Sequence, residues 1–259
     1  SWLSDISESQ LELMKALYNF IEQEKTSNLS GAAHSWHQFL FHNGIIPPSD
    51  NGRGRIIQFQ LHGKDFDRHE ISEALNGFFP DDIIIWIKDS YGLLVEERKE
   101  ISETLDELES ISITFESDFF MKVSFFAGKF QNINEKFPAF FDVERKLFHQ
   151  AENLATRMKV YTFERIFPIL IASSMPQDIT HILQASVLEA FMDDRELMTT
   201  IKVFLESNSN ASLAAKKLYV HRNTLQYRMD KFMEKTGINL KDFDSAVMVY
   251  LACLYADLR

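Results

Sequence analysis

Residues 205–241 read LESNSNASLAAKKLYVHRNTLQYRMDKFMEKTGINLK, and this stretch predicts two helices joined by a tight turn. Ser212 is a favourable N-cap for the first helix, and the adjacent Ala214 and Ala215 let another helix approach closely. The predicted inner face of this helix is Leu213, Ala214, Ala215 and Leu218. Val220 then supplies an apolar side chain between two helices that meet at a steep angle. The pattern predicts a helix-turn-helix.

The second helix is predicted to run from Arg222 to Thr236, with Gly237 as its C-terminal stop. Its apolar residues recur at i, i+4, i+7 and i+8, which makes one stripe at a helical period. They are Leu225, Met229, Phe232 and Met233. A rotation of about 100° per residue places polar side chains on the opposite face. These are Asn223, Thr224, Tyr227, Asp230 and Lys231.

The polar face has the chemistry of DNA recognition. An Asn such as Asn223 can pair with adenine through two hydrogen bonds, and Arg222 can bind guanine or a phosphate. Thr224 suits a base edge or the backbone, while Arg228 and Lys231 flank the groove face, where phosphates lie. The helix N-terminus also favours an anion, because its first N–H groups have no partner within the helix. We therefore expect this helix to lie in the major groove of double-stranded DNA.

Two features limit that interpretation. His221 stands in the turn, where contact with a phosphate, capping of the helix and packing beside Val220 are all open. Asp230 and Glu234 would repel phosphate, so only the first two turns are expected to enter the groove. The predicted DNA-binding residues are Ser212, His221, Arg222, Asn223, Thr224, Gln226, Tyr227, Arg228 and Lys231.

The charge distribution agrees with DNA binding. Between Ser207 and Lys241, seven Lys and Arg residues stand against Asp230 and Glu234, which gives a net charge of +5. The whole chain has a formal net charge of −11, so the remainder carries −16. A basic segment in an acidic chain is typical of a nucleic-acid contact, although a solvated basic face is the simpler alternative.

Three short sequences carry a resemblance to a known family. AAKKL at 214–218, YVHRNTLQYRM at 219–229 and TG at 236–237 resemble the C-terminal helix-turn-helix of PucR/CdaR-type bacterial transcription regulators. The run HRNTLxYR is the specific part, and a more distant similarity is to the Fis-like DNA-binding domain. The resemblance implies that the second helix is the recognition helix. It also implies a final helix, here 244–257, with Val247, Leu251 and Leu254 facing inwards.

The upstream part of the chain predicts an α+β fold. Helices are expected at 7–25, 30–42, 67–79, 97–115 and 138–158, and strands at 56–61, 83–88, 93–96, 123–126 and 159–162. This order suggests one antiparallel sheet with helices on one face, a ferredoxin-like sandwich. It resembles the GGDEF-like domain that precedes the helix-turn-helix in CdaR-type regulators.

The predicted hairpin of that domain lacks the residues of a cyclase. It reads Asp89-Ser90-Tyr91-Gly92, without paired glycines or an acidic pair, whereas two-metal phosphoryl transfer needs clustered carboxylates. We found no Walker loop, GxGxxG, GxSxG or HExxH motif. The sequence therefore predicts a non-catalytic sensor or dimerisation domain, with no catalytic residues, metal or cofactor.

Composition and spacing complete the predicted organisation. The expected segments are an N-terminal helical segment and linker (1–54), the GGDEF-like domain (55–162), connecting helices (163–194) and the helix-turn-helix bundle (195–259). The single Cys253 excludes internal disulfides and is expected to be a buried apolar side chain. No apolar run is long enough for a transmembrane helix and no secretory signal is present, so a cytoplasmic protein is predicted.

The sequence leaves two functions open. The first is a DNA-binding regulator, expected to be a homodimer that binds two half-sites and responds to a small-molecule effector. The second is a protein-interaction or ligand-sensing scaffold whose helical tail docks on a protein. The acidic remainder of the chain favours the scaffold, whereas HRNTLxYR and the basic segment favour DNA binding.

Overall fold

A computed structural model describes residues 31–63, 66–97, 104–154, 158–192 and 194–259. The chain divides into two compact units. The first contains the described residues up to 148 together with 158–162, and the second contains 149–154 and the described residues from 163 to 259. Residues 31–54, predicted as part of a separate N-terminal segment, cluster with the first unit, and 163–192 cluster with the helix-turn-helix region.

The first unit is an α+β domain built on a six-stranded sheet. Its elements are α1 (Gly31–Phe41), β1 (Arg53–His62), α2 (Arg68–Phe78), β2 (Ile83–Lys88), β3 (Tyr91–Glu97), α3 (Leu105–Asp118), β4 (Lys122–Ala127), β5 (Gln131–Asn132), α4 (Phe137–Leu154) and β6 (Val160–Tyr161). The last residues of α4, from 149, belong to the second unit. The helix predicted at 7–25 lies outside the described residues.

The strand order is β2-β3-β1-β4-β6, with β5 also paired to β1. The first four strands have the order of a ferredoxin-like βαββαβ unit. All pairs are antiparallel except β4 with β6, so the prediction of a wholly antiparallel sheet was wrong. The sequence pattern also missed β5, which has only two residues.

Helices cover both faces of this sheet, which corrects the prediction of helices on one face. Alternate residues of β1 point to opposite sides, so Phe59 packs with α2 and α3 while Ile56 packs with Trp36 of α1 and Phe141 of α4. Each face therefore has its own apolar core. β3 repeats this pattern, since Leu94 contributes to the first core and Leu93 to the second.

Two local features fix the central strands and α3. Gly92 lies beneath the Phe59 ring, and a Cβ atom there would stand 2.3 Å from Phe59 Cζ, so β1 and β3 can pair at this register only with glycine. Glu97, predicted to start a helix, is instead the last residue of β3. α3 begins at Leu105 behind a capping box formed by Thr104 and Glu107.

The second unit is entirely helical in its described residues. It contains α5 (Phe163–Ser173), α6 (Gln177–Ser186), a 3₁₀ turn (Leu188–Phe191), α7 (Arg195–Glu206), α8 (Ala211–Lys217), α9 (Arg222–Thr236) and α10 (Phe243–Asp257). One apolar core joins α6, the 3₁₀ turn and α7 to α10, and its centre includes Ile201, Phe204, Leu225, Phe232 and Val249. In the part of the chain that the structure describes, no helix is long and apolar enough to cross a membrane.

The inner face of α10 differs from the prediction. Val247 is 41% exposed, Leu251 is half-buried, and only Leu254 of the predicted stripe is buried. The buried residues are Val249, Ala252, Cys253 and Leu254. Because nearly every residue of this helix is apolar or small, its sequence has almost no periodic contrast from which to choose a face.

Burial makes the only cysteine unreactive in the folded chain. Cys253 is fully buried, and burial raises the pKa of its thiol to about 12. Because the thiolate is the reactive form, we expect the folded protein to resist a thiol reagent such as DTNB at about pH 8. In denaturant, the single thiol of the same protein should react rapidly, with one equivalent of DTNB consumed per chain. Fast reaction of the native chain would show that α10 does not pack as described.

Candidate nucleic-acid interface

Asn210, and not Ser212, caps the first helix of the motif. The Asn210 side-chain oxygen accepts hydrogen bonds from the N–H groups of Ser212 and Leu213, each at 3.1 Å. Ser212 is therefore an exposed residue of the first turn of α8. Ala214 and Ala215 are buried as predicted, but Leu213 is exposed and lies outside the inner face.

The turn between α8 and α9 contains one residue in an unusual backbone conformation. Tyr219 adopts the left-handed conformation with φ 55° and is 97% exposed. This reversal brings Val220 back towards α8, where its N–H donates to the Ala215 carbonyl at 3.0 Å. Val220 packs against the core of the second unit, as predicted for a residue between two helices.

α9 begins and ends at the predicted residues, Arg222 and Thr236. His221 is its N-cap, because Nδ1 accepts a hydrogen bond from the Asn223 N–H at 3.2 Å. Of phosphate contact, helix capping and packing beside Val220, the structure shows capping as the role of His221. With Nδ1 as the acceptor, the neutral ring carries its proton on Nε2, and the exposed ring retains a donor. Gly237 ends the helix in the left-handed conformation, φ 70°.

One stripe of α9 is buried in the core. Leu225 and Phe232 are fully buried, and Phe232 stacks on Phe191 with ring centroids 5.4 Å apart. Met229 is half-buried, but Met233 is 47% exposed and is not part of the stripe. At 100° per residue Met233 lies about 80° around the helix from Leu225, whereas Phe232 lies about 20° from it.

The opposite face presents polar side chains to solvent. Arg222, Asn223 and Thr224 are exposed in the first turn, and Tyr227 follows at 68% exposure. These four side chains are the exposed part of the predicted base-reading surface. They share one end of α9, at the positive pole of the helix dipole.

Further along α9 the exposed face becomes acidic. Gln226 Nε2 donates to Asp230 Oδ1 at 2.9 Å, so this predicted contact residue already has a partner within the helix. Asp230 and Glu234 are both exposed. Because two carboxylates follow Tyr227, the surface suited to DNA covers only the first two turns.

Three cations on one flank of α9 are held by residues of α7, by its N-cap Asp194 and by the 3₁₀ turn. Lys231 Nζ lies 2.6 Å from Asp194 Oδ2. Arg228 donates to Glu196 at 2.5 Å and to Thr200 at 3.0 Å, and Lys235 donates to a backbone carbonyl. Hydrogen bonds from Lys231 and from the Leu197 N–H lower the pKa of Asp194. That Arg228 and Lys231 bind phosphate stays a prediction, and these ion pairs count against it.

Other cations of the basic segment have no such partners. They are Lys216, Lys217, Arg222 and Lys241, all exposed. For these four side chains, the described residues place no carboxylate at ion-pair distance. Since Lys216 and Lys217 end α8 and Arg222 starts α9, three of the four lie at the turn between the two helices.

Comparison with known proteins identifies the class of this domain. Residues 197–255 match the family described as the PucR C-terminal helix-turn-helix domain. The match covers α7 to α10 almost completely, including the turn and the exposed start of α9. The second unit therefore contains a helix-turn-helix domain similar to that of PucR-type regulators.

Across nearly its full length the chain belongs to the family of YxkF, an uncharacterized protein of Bacillus subtilis (strain 168). The two are 37% identical over 253 residues, which is 97% of this chain and 85% of that protein. The Purine catabolism regulatory protein of the same organism is 42% identical over 67 residues, or 26% of this chain and 13% of that one. The Carbohydrate diacid regulator of Escherichia coli (strain K12) is 36% identical over 62 residues, 24% of this chain and 16% of the regulator.

A solved structure, the Regulator of Polyketide Synthase Expression from Bifidobacterium adolescentis, also resembles the chain. The two chains are 14% identical. Their superposition covers 90% of this chain and 96% of the solved chain, with a TM-score of 0.36. A score at this level gives no support to a functional assignment.

Proposed function

We propose that this protein is a sequence-specific DNA-binding transcription regulator that places the first two turns of α9 in the major groove. The observation that carries the proposal is the exposed cluster of Arg222, Asn223, Thr224 and Tyr227 on a helix whose opposite stripe is buried. A recognition helix needs this combination, because the buried stripe fixes the helix while the exposed end reaches base edges.

Each exposed side chain has a role in this arrangement. Asn223 suits an adenine and Arg222 a guanine, while Thr224 and Tyr227 can contact either bases or the backbone. His221 and the lysines at the end of α8 lie near the same turn and suit phosphates, and Ser212, in the first turn of α8, is a further candidate for a phosphate contact. Asp230 and Glu234 keep the later turns of α9 away from the DNA.

The similar proteins support the same function. Two of them are named as a purine catabolism regulatory protein and a carbohydrate diacid regulator, and another B. subtilis relative is named a DNA-binding transcriptional activator. The shared part is short in each case, 62 to 68 residues. These names therefore support DNA binding by the helix-turn-helix and say nothing about an effector.

The upstream unit supplies regulation in this proposal. We assign it as a non-catalytic sensor or dimerisation domain, GGDEF-like in origin and able to respond to a small molecule. Because one recognition helix reads few base pairs, we propose a homodimer that binds two half-sites about one helical turn apart. Such a regulator would act in the cytoplasm, where bacterial DNA is accessible.

The experiment that tests the proposal is a salt titration of binding to a random DNA duplex. We expect Lys217→Ala to weaken binding and to reduce the slope of log K against log salt by about 0.9, the value for one phosphate contact. Lys136→Ala removes an equally exposed lysine from the first unit and should leave the slope unchanged. A scaffold that docks on protein predicts no duplex binding at low salt, and that result would contradict the proposal.

A further inference from the structure

The carboxylate of Asp194 has two separate tasks. Its Oδ1 accepts the Leu197 N–H at 2.9 Å and so caps α7, while Oδ2 holds Lys231 Nζ at 2.6 Å. Because the cap already fixes the carboxylate, little further side-chain entropy is lost when Lys231 pairs with it. Asp194 is therefore a preorganised partner for this lysine.

Arg228 is held even more fully. One of its terminal nitrogens donates to Thr200 Oγ1, and the other donates to Glu196 Oε1. Thr200 is buried within α7, so the guanidinium lies close against that helix. These bonds use two of the five guanidinium N–H groups and leave the side chain only 18% exposed, so a phosphate would have to compete with both partners for this arginine.

We propose that Asp194 and Glu196 are positioning residues that hold Lys231 and Arg228 against α7 and thereby keep both cations out of the phosphate contacts. The inference rests on the proposed DNA binding. This restraint makes the two flanks of the recognition helix differ in the cations that they can offer to phosphates. At 100° per residue, Arg228, Lys231 and Lys235 lie on one side of the buried stripe and Arg222 on the other. Phosphate contacts then come from the flank of Arg222.

Lys231 is near enough to solvent for this restraint to matter. Its side chain is 38% exposed, and a long flexible lysine released from Asp194 could reach a phosphate beside α9. When Asp194 holds Lys231, DNA binding releases fewer counterions. The sequence-independent part of the DNA affinity is therefore weaker. A regulator in an acidic chain gains discrimination when this general attraction is small.

The test is Asp194→Asn in the full chain, with a random duplex as the probe. Asn is as good an N-cap as Asp, so α7 keeps its cap while Lys231 loses its ionic partner. We expect affinity for the random duplex at 0.1 M salt to rise about fivefold, and the salt slope to steepen by about 0.9. Glu196→Gln, at an exposed position, should act in the same direction through Arg228.

Two variants separate this mechanism from a general effect of charge. Asp242→Asn removes a carboxylate that also caps a helix, α10, but that has no cation partner in the described residues. It should leave the salt slope unchanged. Adding Lys231→Ala to Asp194→Asn should restore the wild-type slope. An equal rise for Asp242→Asn, or no reversal by Lys231→Ala, would overturn the inference.

A second measurement is independent of DNA. Acetylation of Lys231 by an amine-reactive reagent should be faster in Asp194→Asn than in the wild type, because the ion pair no longer holds the amine. Mass spectrometry would follow the reaction. Faster acetylation without duplex binding by either protein would reject the proposed function and, with it, the role in DNA binding. Duplex binding that is identical in both proteins would reject the inference alone.

Discussion

Asn223→Ala is expected to lower affinity for the preferred DNA sequence by about 1–3 kcal/mol, roughly fivefold to 150-fold, and to relax discrimination at one base pair. Asn223 is exposed in the first turn of α9, which the proposed function places in the major groove. Its amide can donate to and accept from one adenine, and Ala can do neither. Affinity for a random duplex should change little, because sequence-independent affinity depends on phosphate contacts.

The matched control is Asn153→Ala. Asn153 is also an exposed helical asparagine, but it lies at the end of α4, outside the residues that match the PucR domain. Binding curves for both variants on the preferred duplex and on all single-base substitutions would provide the comparison. Equal losses on specific and random DNA would show that Asn223 does not read a base.

Phe232→Ala is expected to destabilise the second unit by about 3–5 kcal/mol. Phe232 is fully buried and stacks on Phe191, so its removal leaves a cavity between α9 and the 3₁₀ turn. Since small domains have a total stability of only about 5–15 kcal/mol, this one change would remove much of it. α9 should then unfold at temperatures at which the second unit of the wild type stays folded.

Hydrogen exchange of the α7 and α9 amides, measured by mass spectrometry, would follow this loss. All three tryptophans precede residue 100, so tryptophan fluorescence does not report directly on the second unit and serves as an internal reference. Met233→Ala is the neighbouring control, because this side chain is largely exposed and should cost less than about 0.5 kcal/mol. Similar exchange in the two variants would contradict the packing of α9.

The bounds of the recognition helix could be read from the sequence because local signals agree there. Leu225 and Phe232 have helical spacing, and Gly237 follows at the point where a left-handed residue ends a helix. The prediction of Ser212 as the cap of α8 was wrong, because Asn210, two positions earlier, is an equally good capping residue. Only the backbone conformation distinguishes them.

The ion pairs of the site could not be predicted in the same way. Asp194 and Lys231 are far apart in sequence, and their contact depends on how α7 crosses α9. A charge pattern within one helix gives no information about that crossing. For the same reason, the sequence showed cations at Arg228 and Lys231 but not that α7 holds them.

The arrangement of the sheet was predicted only in part, because some of it also depends on contacts between residues far apart in the sequence. Strand order follows from the alternation of strands and helices, whereas the placement of helices on both faces depends on pairs such as Ile56 and Phe59. Within β1, Ile57, Phe59 and Leu61 alternate with Gln58 and Gln60, so the sequence pattern predicts only one buried face. The sequence therefore indicated the elements but not the second layer of helices.

The most direct measurement is selection of bound duplexes from a random library by the full chain, with the Arg222→Ala/Asn223→Ala double variant in parallel. The account predicts an enriched motif with two related half-sites about one helical turn apart for the wild type, and its loss in the double variant. The same motif enriched by both proteins would contradict recognition by the first turns of α9.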